Sequence, residues 1–247
     1  MELSVVILAR NESRNIERAI ASSFLISEDI IVVDTGSTDD TRELAANAGA
    51  RVIEIPWQGF GASRNHGAAQ AKQDWIFVLD ADERITHSLA GEIKKLSPQE
   101  EAVVYKMKRQ NFFGAKKIEF GDWKKDTVKR LYNRNTSSWN LAAVHESLIT
   151  DALRTIKLKG TLEHHTAENL NGFLLKNLGY AKLGAGKLQS RSSLHLCLKM
   201  VFAPIFSFVR GYFFRLGWLD GKEGFWIARI NSYYTFMKYA NALECKN

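Results

Sequence analysis

The sequence predicts an α/β fold with a mostly parallel central sheet flanked by helices, followed by a helical C-terminal extension. Three observations predict it. Short β-branched apolar runs alternate with helix-period segments four times before residue 90. Three of those runs end in polar clusters, as expected where strands deliver side chains to a cleft. The chain of 247 residues is long enough to bury a sizeable core.

The elements follow in order. "LSVVILA" reads as a first strand, and Ile16, Ala19, Ile20 and Phe24 then recur at helical spacing. "DIIVVD" is a second strand. "STDDTRELAANAGA" carries a helix signature, with Ser37 as N-cap, Asp40 three residues on and Gly49 as a stop. "RVIEI" is a third strand, "GASRNHGAAQAK" a small-residue helix and "DWIFVLD" a fourth strand. The strand ends carry Arg10–Asn11–Glu12, Asp34–Thr35–Gly36–Ser37 and Asp80–Ala81–Asp82, which should converge. Beyond Glu101, "AVVYKMKRQNFF", "DTVKRLYNRN", "VHESLI" and "IKLKGTLEHH" read as strands of mixed or antiparallel pairing. Helical period returns after Thr166. The expected divisions are 1–100, 101–165 and 166–247.

Composition narrows the partners. With 34 Lys+Arg against 27 Asp+Glu, the chain favours anionic ones. Nucleic acid is not expected, because the basic residues are scattered and the strand-end clusters are acidic. Cys197 and Cys245 match no metal or disulfide spacing, and "MELSVVILARNE" reaches charge too soon for a signal peptide. A reduced, cytoplasmic compartment is the expectation. No uncharged apolar run reaches 18 residues, so no membrane-spanning helix is expected.

The chemistry centres on "WIFVLDADERIT". In an extended loop, Asp80 and Asp82 can face the same way and bridge Mg²⁺ or Mn²⁺ to a diphosphate. Alternatively, Asp82 and Glu83 merely favour the next helix's N-terminus, near Thr86. The strand-end context favours the cation. Asp34 can accept hydrogen bonds from a ribose or base, while Ser37, Thr38 and Asp40 read as capping. Phosphate-loop and dinucleotide glycine signatures are absent. Arg130 either meets an acceptor phosphate or lies on a solvated strand face.

Taken together, "SVVILARNE", "IIVVDTGSTDDT", "GFGASRNHGAAQA" and "WIFVLDADE" resemble the nucleotide-sugar half of family 2 glycosyltransferases, which have the GT-A fold. "GFGASRN", "VHE" at 144–146, "HHT" at 164–166 and "RLGWLDGKEGF" further resemble bacterial β-glucosyltransferases of lipopolysaccharide core assembly. The resemblance implies an inverting, metal-dependent enzyme moving a hexose, expected to be glucose, from a UDP-sugar to an inner-core sugar. Residue by residue, it implies that Asp34 and Arg64 contact the uridine, with Arg10, Asn11 and Glu12 shaping the pocket floor. Asp80 and Asp82 form the D-x-D, Asp80 also facing the donor and Asp82 ligating the metal directly. His164 completes the metal coordination, and Glu146 is the catalytic base. Other acceptors, such as a capsule precursor or a polypeptide, and a non-catalytic nucleotide-sugar or lipid-binding module are the alternatives.

The C-terminal third interleaves Arg210, Arg215 and Arg229 with Phe, Tyr and Trp. Such helices can lie in an anionic headgroup region, placing the protein peripherally on the cytoplasmic face of the inner membrane. The alternative is that the aromatics pack on the rest of the chain or on a second subunit in a homo-oligomer.

Overall fold

Strand β1 (Ser4–Ala9) runs parallel to both β2 (Asp29–Asp34) and β4 (Trp75–Asp80), and β2 pairs in parallel with β3 (Arg51–Glu54). These four sequence-predicted strands are found, and their side chains alternate between two apolar layers. Val5 and Ile7 of β1, Val32 of β2 and Phe77 and Leu79 of β4 enter one layer. Val6, Leu8, Ile31, Val33, Ile76 and Val78 enter the other. A sheet buried on both faces requires the near-continuous apolar runs seen in the sequence. Helices α1 (Ile16–Ser23), α2 (Thr41–Asn47) and α4 (His87–Lys94) supply side chains to the first layer, and α3 (Phe60–Ala69) to the second. Helix α3 approaches closely because Gly67 has no side chain: a Cβ there would lie 2.5 Å from Val6 Cγ1 and 2.6 Å from Val33 Cγ2.

The computed structural model describes residues 1–97, 100–124, 126–142 and 146–246. It contains two compact units, Met1–Arg109 with Thr127–His164, and Gln110–Asp126 with His165–Asn247. In the first unit, β8 (Thr127–Asn133) pairs antiparallel with β4, and β6 (Val103–Phe113) pairs antiparallel with β8. The short β5 (Glu83–Ile85) pairs antiparallel with β9 (Arg154–Ala167). The strand order is β3-β2-β1-β4-β8-β6-β9-β5, so a parallel half adjoins an antiparallel half.

In the second unit, β7 (Lys116–Lys117) pairs with the end of β6. Helices α5 (Leu170–Gly186) and α6 (Ser193–Val209) both pack on α7 (Gly221–Glu244). Phe113, Ile118, Phe173, Ile227 and Ile230 form its core. The "GWLDGKEG" stretch is built for close packing: a Cβ on Gly224 would meet the Gly217 carbonyl oxygen at 1.8 Å. Asp220 accepts from the N–H groups of Glu119 at 3.1 Å and Phe120 at 2.8 Å.

Several expectations need correction. Helix α2 begins at Thr41 after Asp40, not after Ser37, whose hydroxyl is used elsewhere. "VHESLI" contributes a single bridge, Trp139 to Leu148, among the described residues; Val144 and His145 lie outside them. Pro204 lies inside α6, and the helical run Ser193–Phe214 is long and apolar enough to cross a membrane by length and composition, where no such helix was expected. The expected absence of such a segment assumed an uncharged run, whereas Lys199 and Arg210 interrupt this one while its mean hydropathy stays at 1.4.

Candidate active site

The carboxyl ends of β1 and β2 are tied by a lattice of short hydrogen bonds. Asn11 adopts a left-handed backbone, φ 55°, which asparagine tolerates better than most residues. Its N–H donates to Ser37 Oγ at 2.9 Å, and its Oδ1 accepts from the Thr38 N–H at 2.8 Å. The Glu12 N–H donates to Thr41 Oγ1 at 2.8 Å, while the Glu12 side chain accepts from Asn15 Nδ2. Asp34 is buried, and its carboxylate closes the turn: Oδ1 accepts from the N–H groups of Gly36 and Ser37, and Oδ2 from the Ser37 hydroxyl. Gly36, φ 97°, supplies the backbone that this turn requires. Asp39 accepts from Thr41 and Ser13. Burial opposes its ionisation, but these donors together outweigh it and pull the carboxyl down to about 2. Arg10 is exposed at the rim of the loop.

The end of β4 is more heavily charged. Asp80 accepts from Arg64 Nη2 at 2.7 Å through one oxygen and from Arg130 Nη2 at 2.5 Å through the other. Burial by itself would raise the Asp80 carboxyl, but Arg130 and then Arg64 outweigh it and hold it far below the usual carboxylate range. Burial likewise opposes the Arg130 charge, and Asp80 and Glu83 reverse that, raising it above the usual guanidinium range. Glu83 is fully buried. It accepts from Arg130 at 2.6 Å, Arg109 at 3.1 Å and the Asp80 N–H at 3.0 Å.

Two expectations change here. Glu83 does not cap α4, whose N-cap is Thr86, accepting from the Leu89 N–H at 3.2 Å. Arg130 neither lies on a solvated face nor waits for an acceptor; it is buried between two carboxylates. The cause is local. Tyr105 pairs with Leu131 but Lys106 pairs with Lys129, so one step along β6 spans two along β8. Arg130 is the extra residue of a bulge, and bulges re-aim side chains.

Arg64 joins the D-x-D to the predicted base. Its Nη1 donates to Glu146 Oε1 at 2.7 Å while Nη2 holds Asp80, and its guanidinium lies 4.4 Å from the Trp139 ring centre. Trp139 is fixed in turn, because the Asn65 side chain both donates to its carbonyl and accepts from its N–H. Gly61 lets this segment approach α3: a Cβ there would lie 1.9 Å from the Asn140 carbonyl oxygen. Sequence reading missed Trp139 and Arg109. The "ASRN" stretch held the only signal, since Asn65 sits beside the singled-out Arg64.

Asp82 and His164 meet across the start of β5 and the end of β9, with Asp82 Oδ2 3.3 Å from His164 Nε2. A carboxylate oxygen beside an imidazole nitrogen suits a divalent cation. No group of three or more potential ligands occurs among the described residues. A cation held here would therefore complete its shell from substrate and water, as hard cations at phosphate sites do.

The structure thus brings Arg64, Asp80 and Glu146 together, and separately Asp82 with His164. Asn11 and Asp34 share the first lattice, and Glu12 is tied to its neighbouring Thr41.

Comparison with known proteins agrees with this architecture. The model of glycosyl transferase family 2 matches residues 4–149. A glycosyltransferase of Rickettsia prowazekii is 28% identical over 97% of this chain and 86% of its own length. A lipopolysaccharide core biosynthesis glycosyltransferase of Rhizobium meliloti is 27% identical over 99% of this chain and 93% of its own. Among solved structures, glucosyl-3-phosphoglycerate synthase from Mycobacterium tuberculosis is 29% identical with a TM-score of 0.36. That likeness covers 44% of this chain and 43% of the other, less than half of either.

Proposed function

This chain belongs to glycosyl transferase family 2, with the GT-A fold and glycosyltransferase activity, and we propose that it transfers glucose from UDP-glucose to an inner-core sugar of lipopolysaccharide with inversion. The observation that carries the reading is the guanidinium of Arg64, held at 2.7 Å by both Asp80 and Glu146. One rigid group thereby spaces the donor-binding strand end from the base.

The roles follow from the geometry. Asp34 keeps the turn after β2 closed, so that its backbone, with Arg10, Asn11 and Glu12, forms the floor against the uridine. Arg64 and Arg130 fix Asp80 and bring positive charge toward the diphosphate without later reorganisation. Asp82 and His164 would hold Mn²⁺ or Mg²⁺, which when bound supplies charge that stabilises the leaving diphosphate.

Glu146 gives one oxygen to Arg64, and its Oε2 accepts from no described residue. That oxygen takes the proton of the attacking sugar hydroxyl. The hydroxyl oxygen forms its bond to the anomeric carbon from the opposite face as the bond to the diphosphate breaks. General-base assistance of this kind contributes about 10²–10⁴-fold. The full-length likeness to the Rhizobium meliloti enzyme supports the acceptor class.

Incubating the protein with a panel of UDP-sugars and truncated lipopolysaccharides, with Mn²⁺, tests the reading. A mass gain of one hexose on the inner core supports it. A gain on a capsule precursor or polypeptide instead redirects the acceptor. If wild type and Asp82→Ala bind UDP alike and neither turns over, the catalytic assignment fails.

A further inference from the structure

Helix α6 leaves an apolar surface that the second unit does not cover. Leu194, Leu198, Val201, Phe202, Ile205 and Phe206 are all exposed, and their spacing follows one helical stripe. Phe213 and Phe214 continue the exposed surface through the following π-helical turn, and Trp218 and Leu219 lie exposed just beyond. Only 17% of the most apolar eighteen-residue stretch is buried. A contiguous apolar surface on this scale marks an interaction site.

The charge around the stripe selects its partner. From Asn169 to Leu219 the chain contains no Asp or Glu, while Lys182, Lys187, Arg191 and Lys199 are among its cations; Arg210 and Arg215 pair with Asp122. Lys199 is exposed within the stripe itself. A second protein surface would need to supply both apolar area and acid; an anionic lipid leaflet supplies both at once. Long Lys and Arg side chains lay their stems on the apolar surface and raise their charges to the headgroups.

The opposite side of α6 is fastened to its own unit. Leu196 is fully buried with Ala185 and Ala242, and Ser232 Oγ of α7 donates to the Pro204 carbonyl at 2.8 Å. Crossing a bilayer would carry α7 alongside, with Lys222, Arg229 and Glu244 exposed on it. Charge at membrane depth is costly unless it is paired or hydrated. We infer that the α6 surface inserts into one leaflet of an anionic phospholipid membrane, lying in its plane rather than spanning it. This does not depend on the donor, the acceptor or the base.

The test is flotation of the full chain with vesicles of phosphatidylcholine alone or mixed with phosphatidylglycerol. The protein should float with the anionic vesicles, release as salt rises and shift Trp emission to the blue on binding. Phe202→Ser/Phe206→Ser should lower partitioning about tenfold or more. Lys199→Ala should weaken binding to anionic vesicles alone. Unchanged far-ultraviolet dichroism and UDP binding would show that the variants fold. The inference is overturned if the double variant floats like wild type. It is equally overturned if the protein stays in the membrane pellet after alkaline carbonate, which means spanning. Sedimentation offers a further refutation: a vesicle-free dimer that the double variant dissociates would assign the surface to a second copy.

Discussion

Replacing Arg130 with Met tests how the charged cluster is held together. The substitution keeps an unbranched apolar stem and deletes the guanidinium that touches Asp80 at 2.5 Å and Glu83 at 2.6 Å. Removing one partner from a buried pair costs about 3–5 kcal/mol, because the remaining charge is left uncompensated. The lower end applies here: Asp80 keeps Arg64 at 2.7 Å and Glu83 keeps Arg109 at 3.1 Å. About 3 kcal/mol is therefore expected in urea unfolding at neutral pH. The pH dependence carries a sign. In wild type the depressed Asp80 group stabilises above its unfolded value of about 3.9 and loses that contribution as pH falls toward its folded value. Without Arg130, burial works to raise the Asp80 carboxyl, and its protonation relieves the destabilisation. The deficit should be largest near pH 7 and shrink below about pH 5. A variant within about 0.5 kcal/mol of wild type at pH 7, or a deficit that grows on acidification, would refute the reasoning.

Glu146→Gln should lower kcat by ~10²–10⁴-fold with little change in KM for the donor, read in a UDP-release assay. His164→Ala should raise the Mn²⁺ concentration needed for half-maximal rate by ~10-fold or more, and isothermal titration of Mn²⁺ in the presence of UDP should show the same loss. Gly67→Ala forces a methyl against Val6 and Val33 and should cost about 1–3 kcal/mol in denaturant unfolding, with retained activity per folded molecule.

The parallel half was legible because its physics is local. Strands buried on both faces must be apolar throughout, and the D-x-D and "DTGS" stretches mark where they stop. Arg64, expected at the uridine with Asp34, meets Asp80 of the D-x-D, and Asp82 and His164, expected to share a metal, lie 3.3 Å apart. Arg130 was not legible, since a bulge breaks the two-residue period by which a strand residue is assigned to a face. Glu83 was misread because its role depends on β5 pairing with β9, some eighty residues downstream. Ser37 carries the chemistry of an N-cap, but the Asp34 carboxylate, directly after the strand's last apolar side chain, claims it first. For α6, sequence reading asked for an uncharged run. Mean hydropathy along a helix tolerates a lysine that can reach the headgroups.

The charges of the β4 cluster are self-cancelling: Arg64, Arg109 and Arg130 offset Asp80, Glu83 and Glu146 one for one. A neutral, largely buried set needs no mobile counter-ions and responds weakly to ionic strength. Around α6, Arg210 and Arg215 pair with Asp122, but Lys199 sits exposed among apolar side chains, and its hold on a membrane would fade as salt rises. On the inference that α6 inserts into a leaflet, salt would release the protein with the charges of the β4 cluster unaltered. Recruitment and turnover would become separately adjustable properties of one chain.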